Sequence, residues 1–195
     1  VKPKAQAQIV LGNLGTTFKD PDRYALQVLN AVLSGQGGRL FLELRDKQSL
    51  AYALSSFSVE GIEPGSFGVY IGSAPEKVPQ VLAGIERELT RARTETVSDE
   101  ELTRAKRYLI GSFEIDLQRI SAVATNLALN ELYSLGYDEY RRYPEKINAV
   151  TAEDVLRVAQ KFIRLGSHTL TIIRPNAAAG SAPATTVPEA AKSGS

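Results

Sequence analysis

GGRLFLELRDKQSLAYALSS, Gly37 to Ser56, reads as a helix running into a strand. Leu40, Phe41 and Leu44 return at helical spacing and form one apolar side of a helix from Arg39 to about Lys47. Arg39, Glu43 and Asp46 lie elsewhere on the same turns. After Lys47-Gln48-Ser49 the pattern changes, and Ala51 to Val59 is predicted as a strand. The seam between the two elements carries Arg45 and Tyr52, a cation and a phenol. On chemistry alone, two readings of that pair stand. Arg45 could answer the negative C-terminal end of its helix, paired with Asp46, while Tyr52 serves as a half-buried strand residue. Alternatively both point donors at one extended ligand, since a guanidinium and a phenol O–H can each donate to a peptide carbonyl. If that carbonyl is under attack, the same donors stabilise the charge developing on its oxygen.

The elements on either side set the fold class. Upstream, Ala5 to Gly15 alternates and then runs through Ile9-Val10-Leu11, as a mostly buried strand does. Asp20 as cap and Pro21 at the first position predict a helix with Ala25, Val28, Leu29, Val32 and Leu33 on one face. Downstream, Ser66 to Ser73 alternates through Phe67, Val69 and Ile71, and Glu60 to Gly65 makes a hairpin-type connection to it. Helices follow from Pro75 to about Arg93, from the capping box Ser98/Glu101, from about Arg119 to Leu135, and from the cap pair Thr151/Asp154. His168 to Ile173 is the last strand. The order is β-α-α-β-β, then a run of helices, then β. That predicts an α+β domain over residues 1–174, with an antiparallel or mixed sheet covered by helices on one face. Residues 175–195 are Ala/Gly/Pro/Ser-rich and are expected to form a flexible tail.

Composition narrows the function. The chain has 195 residues, enough for one core, and 23 basic against 22 acidic residues. That balance provides no footprint for nucleic acid, and no apolar run is long enough for membrane insertion. Cysteine is absent, which excludes disulfides, thiol catalysis and Cys-based zinc sites but leaves the compartment open between periplasm and cytoplasm. The one histidine is His168. A Ser-His-Asp triad would have to use it, and a zinc site would rest almost wholly on carboxylates. Its plain role is to open the last strand. The chain starts at Val1 with no methionine, as expected of a piece of a longer protein.

The remaining motifs are weaker. Gly35-Gln36-Gly37-Gly38 precedes a helix, but it follows a helix rather than a strand and lacks the Gly-Lys-Ser/Thr of a P-loop. Gly35, Gly37 and Gly38 therefore make a turn needing positive φ, or a loop that contacts a ligand. The charged runs Glu86 to Arg93 and Asp99 to Arg107 read as solvated helix faces, each ion pair contributing ~0.3–0.5 kcal/mol. Tyr133, Tyr137, Tyr140 and Tyr143 read as a packing layer under a loop.

Gly38-Arg39-Leu40-Phe41, Glu43-Leu44-Arg45, Leu50-Ala51-Tyr52, Leu54 and Ser56 match one family pattern without a gap. The stretch resembles the second-domain segment of the insulinase/pitrilysin (inverzincin) zinc peptidases, the family that includes mitochondrial processing peptidase and small bacterial relatives. The likeness extends from Ala5 to about Arg174. It implies a clamshell of two related domains. The first carries His-x-x-Glu-His and a distal Glu, which bind zinc and activate water. The second is zinc-free and supplies an Arg and a Tyr that hold the substrate backbone. By that resemblance Arg45 and Tyr52 are the substrate-binding pair. No catalytic or metal-binding residue is then expected in this chain, and zinc is expected on the partner domain or subunit. The chain alone is not expected to cleave the extended peptide it helps to hold. A different outcome of the same ancestry is a zinc-free structural or assembly subunit, as among respiratory-complex core proteins.

Overall fold

Alternation along AQIVLGNL builds β1, Ala7–Leu14, in the computed structural model, which describes residues 6–35 and 37–175. Ala7, Ile9, Leu11 and Asn13 point into the protein and their neighbours do not, so one face of the strand is core. β2 (Ala53–Val59) and β3 (Ser66–Ser73) form the expected hairpin, and β4 (Thr169–Ile173) closes the set. The sheet order is β2-β3-β1-β4, with every neighbouring pair antiparallel. Ile9 lies opposite Ile71 on one side and Ile172 on the other, and Leu11 lies opposite Val69 and Leu170. β2 is therefore an edge strand. The expected tail from residue 175 lies outside the described residues, except for Pro175 itself.

Three helices cover the core face. α1 (Arg23–Leu33) buries Ala25, Leu26, Val28, Leu29, Val32 and Leu33. α2 (Val78–Thr94) buries Val78, Val81, Ile85 and Leu89, and α6 (Ala152–Phe162) buries Val155, Val158, Ala159 and Phe162. These meet Ile9, Leu11, Phe67, Val69 and Ile71 in one cluster. Each large aliphatic side chain so buried contributes about 1.5–3 kcal/mol. α3 (Asp99–Asp116) is an outer helix with only Ala105 fully buried, and α4 (Ile120–Leu132) has no fully buried residue. α5 (Tyr143–Ala149) anchors through Ile147. Both predicted capping boxes are present: Ser98 and Glu101 exchange hydrogen bonds, as do Thr151 and Asp154.

Three expectations need correction. α1 starts at Arg23, not after an Asp20 cap, because Asp20 Oδ1 accepts from the Asp22 N–H at 2.8 Å and closes a turn ahead of the helix. The helix at the seam is π-helical over Phe41–Lys47. The charged faces on α2 and α3 are not wholly solvated: Glu88 is buried at 3% exposure, and Glu101 is bound by a buried arginine.

Candidate functional site

The π-helical segment is held from below. Leu40 and Leu44 are fully buried and pin its inner side. Arg39 is 4% exposed, and its Nε and Nη2 donate to the two Glu101 carboxylate oxygens at 2.7 and 2.8 Å. This planar two-point pair joins the start of the segment to α3. Its hydrogen bonds, opposed by partial burial and helped by the Ser98 backbone N–H, hold the Glu101 carboxyl down at about 2. Glu88 lies beneath the same segment with a different balance. Burial pushes its carboxyl above the usual range, and Arg91 at 3.7 Å and Arg87 at 3.9 Å are too far to hydrogen-bond it. The nearby Glu43 charge adds to the rise.

At the other end the seam is tied by backbone. Leu50 N–H donates to Leu44 O at 2.7 Å, and Tyr52 N–H donates to Gly72 O at 2.9 Å. Ser73 Oγ donates to Leu50 O, and Lys77 Nζ donates to Ser49 O at 2.9 Å. Ser49 turns the chain with φ 51°, in the left-handed region. The two predicted residues emerge from this frame. Arg45 is exposed, with its guanidinium carbon 4.9 Å above the centre of the Phe41 ring. Tyr52 is 61% exposed. The two side chains share no hydrogen bond. The fold joins their backbones and leaves their donors pointing outward. Such an arrangement can hold an acceptor from another molecule, and among the described residues neither side chain is hydrogen-bonded to an internal one.

Gly35 has φ 78°, as the helix-to-helix turn requires. Gly38 is needed for close approach: a Cβ there would stand 2.1 Å from Ser34 O and 2.6 Å from Leu33 O. Gly37 rests against the Arg104 side chain and borders a cleft with Tyr108. The described residues contain no group of three or more His, Cys, Asp or Glu able to hold a metal, so their donors do not fit a zinc site. His168 is exposed just before β4.

The tyrosine cluster divides. Tyr137 is exposed, whereas Tyr133 stacks on Phe18 at 4.1 Å and Tyr143 packs on Phe113 at 4.5 Å. These rings wall a cavity of about 400 Å³ at the far end of β2. Burial, with the Glu60 charge nearby, pushes the Tyr143 phenol up to about 12. The cavity has a partial sequence signal in the tyrosines. Phe18, Tyr24 and Phe113 reach it only through the fold.

Comparison with known proteins gives three kinds of match. The family described as "Peptidase M16 inactive domain" matches residues 1–109. An uncharacterized zinc protease of Streptomyces coelicolor is 34% identical over 159 residues, covering 80% of this chain and 34% of that protein. The alpha subunit of mitochondrial-processing peptidase from Caenorhabditis elegans is 24% identical over 169 residues, covering 80% of this chain and 33% of that one. This chain thus spans about a third of the length of either relative. Among solved structures, the inactive peptidase domain of a Bordetella parapertussis protein superposes with a TM-score of 0.78 at 18% identity, covering 90% of this chain and 98% of that one. At that identity the likeness speaks for the fold.

Proposed function

The chain belongs to the peptidase M16 inactive-domain family, and from that premise we propose that it is the substrate-binding, zinc-free half of a zinc metalloendopeptidase acting on unstructured peptides. Its partner is the domain or subunit that carries His-x-x-Glu-His, where the zinc is expected. The observation that carries the reading is the outward exposure of Arg45 and Tyr52 from a seam whose backbone is hydrogen-bonded on both sides. Exposed donors on a rigid frame keep their direction when a ligand arrives, and preorganised donors are worth most where charge develops. Arg45 orients a peptide carbonyl through its planar fork. The Tyr52 hydroxyl donates to the oxygen of the carbonyl that is attacked. β2 is an edge strand, and apart from Ser56, whose N–H already donates to Ser34 Oγ at 3.3 Å, its outer side can offer main-chain hydrogen bonds to an extended peptide, which gives affinity with little demand on its sequence. Gly35, Gly37 and Gly38 precede the π-helical segment; exposed Gly35 and half-buried Gly37 are the loop contact, and buried Gly38 shapes the turn that presents them.

The test is Tyr52→Phe in the enzyme reassembled from both halves. Turnover should fall by ~10²-fold, the usual effect of removing one such donor. The thermal midpoint of this chain should not move. Unchanged turnover in an enzyme shown to contain the variant would end the role assigned to Tyr52.

A further inference from the structure

Four buried side-chain atoms without hydrogen-bond partners belong to the walls of one cavity: Gln27 Oε1, Asn30 Oδ1, Ser58 Oγ and Asn130 Nδ2. The cavity is the one of about 400 Å³ between α1, the end of β2, α3 and α4. A buried polar group left without a partner loses its hydration and gains nothing in return. Four around one space are a large cost for a wall whose only task is packing. The size suits a ligand, since sites for small molecules and side chains run from about 300 Å³ and combine apolar walls with a few polar groups.

The walls also say what kind of group fits. Glu60 and Glu139 stand in them and oppose an anion. A cation has a competitor already in place. The Arg23 guanidinium lies 4.5 Å over the Tyr24 ring, donating to Phe18 O at 2.5 Å and to the Tyr24 hydroxyl. What is left unmet is uncharged: two amide oxygens, one amide nitrogen and one hydroxyl. The Gln27 orientation is fixed by chemistry, because its Nε2 donates to the Glu60 carboxylate and leaves Oε1 as the free atom. These atoms lie just behind the cavity surface. The terminal torsions of Asn and Gln are broad, so an entering amide can draw Asn30 and Asn130 round to meet it. The stacked pair Phe18–Tyr133 and the tilted pair Phe113–Tyr143 supply aromatic walls.

We propose that this cavity is a second peptide-binding site, taking an uncharged aromatic side chain together with its flanking backbone amides. Two flanking amides bring two donors for the two amide oxygens and two acceptors for the amide nitrogen and the hydroxyl, which is the complement of the unmet set. The choice of a peptide as occupant rests on the function proposed above. Tyr52 precedes β2 and Glu60 follows it, so an extended chain along the strand covers about 25 Å between them at ~3.3 Å per residue. The anchored residue would lie about eight positions from the one held at Tyr52, by the same spacing. The site therefore reads a substrate well away from the bond that is cut.

The experiment is a nuclear magnetic resonance titration of this chain alone, labelled with nitrogen-15, using N-acetyl-phenylalanine amide as the probe. The expected result is saturable shifts of the Gln27, Asn30 and Asn130 side-chain amides. N-acetyl-lysine amide and N-acetyl-aspartate amide should leave them in place. Asn130→Leu should weaken probe binding by about fivefold, the loss of one hydrogen bond. Should that variant fail to fold, Ser58→Ala at the opposite wall carries the same expectation. No saturable shift at these amides, or equal shifts from the charged probes, would overturn the proposal. Because the zinc-bearing half is absent, failure here leaves the Arg45/Tyr52 reading standing. Probe binding without peptide cleavage by the reassembled enzyme would instead end that reading and keep an amide-binding cavity.

Discussion

Arg39 and Arg45 lie on one helical stretch and play opposite parts. Arg39 is buried, clamped by both oxygens of Glu101, and ties the segment to α3. Arg45 is exposed, with a ring beneath its guanidinium and no carboxylate on it. One arginine fixes the position of the segment. The other uses that fixed position to present its donors outward. The same division separates Glu101 from Glu88: the carboxyl with close hydrogen bonds is held down, and the buried one whose arginines come no nearer than 3.7 Å is pushed up. Residue type alone tells neither member of either pair from its counterpart. What separates them is whether a partner from a distant element reaches the charge.

The largest effect that would sharpen the contrast is Arg39→Ala. It strands a partly buried Glu101 carboxylate and should destabilise the chain by about 3–5 kcal/mol in urea unfolding. A loss below about 1 kcal/mol, the range of an exposed ion pair, would break the contrast between the two arginines. Acid should act next. The Glu101 pKa is below its unfolded value in the fold, so the unfolded state binds more protons between about 4.5 and about 2. Its contribution is complete above about 4.5 and is lost as pH falls through about 2. It amounts to about 3 kcal/mol at the usual 1.36 kcal/mol per unit. The raised Glu88 pKa works in the other direction, because the fold there takes up protons first. Its gain on acidification comes above about 4.5, before the Glu101 loss begins, so the net loss from neutral pH to about 2 should be larger in Glu88→Gln than in the parent chain. Gly38→Ala pushes a methyl against two carbonyl oxygens at the foot of the segment and should cost about 1–3 kcal/mol. The smallest expected effect belongs to the exposed pair. Arg45→Ala and Tyr52→Phe should each change unfolding free energy by less than ~0.5 kcal/mol. A larger change would mean that these side chains support the fold.

Local chemistry made much of this fold readable. β3 runs over Ser66–Ser73 as its alternation predicts, and both capping boxes form where a Ser or Thr stands three residues before an acid. Gly35 adopts the positive φ its turn implies. Arg45 and Tyr52 are both exposed. The unread part is what depends on distance in sequence. Arg39 and Glu101 are 62 residues apart, and no local pattern links them. Glu88 sits among arginines at helical spacing, as a solvated acid does, yet the fold leaves it 3% exposed. Leu40, Phe41 and Leu44 are too few apolar positions to tell one helix type from another over so short a stretch, so the π-helical winding was hidden as well. The cavity draws its walls from α1, β2, α3 and α4, and its tyrosines alone suggested a packing layer.

The most direct measurement mixes this chain with the His-x-x-Glu-His-bearing half of its parent protein or partner and follows cleavage of a quenched unstructured peptide with zinc present. Cleavage by the mixture alone, lost on Arg45→Ala while the two halves still associate, is the predicted result. Associated halves that cleave equally well with Arg45→Ala, or that do not cleave at all, would contradict the assignment of this chain as the substrate-binding half.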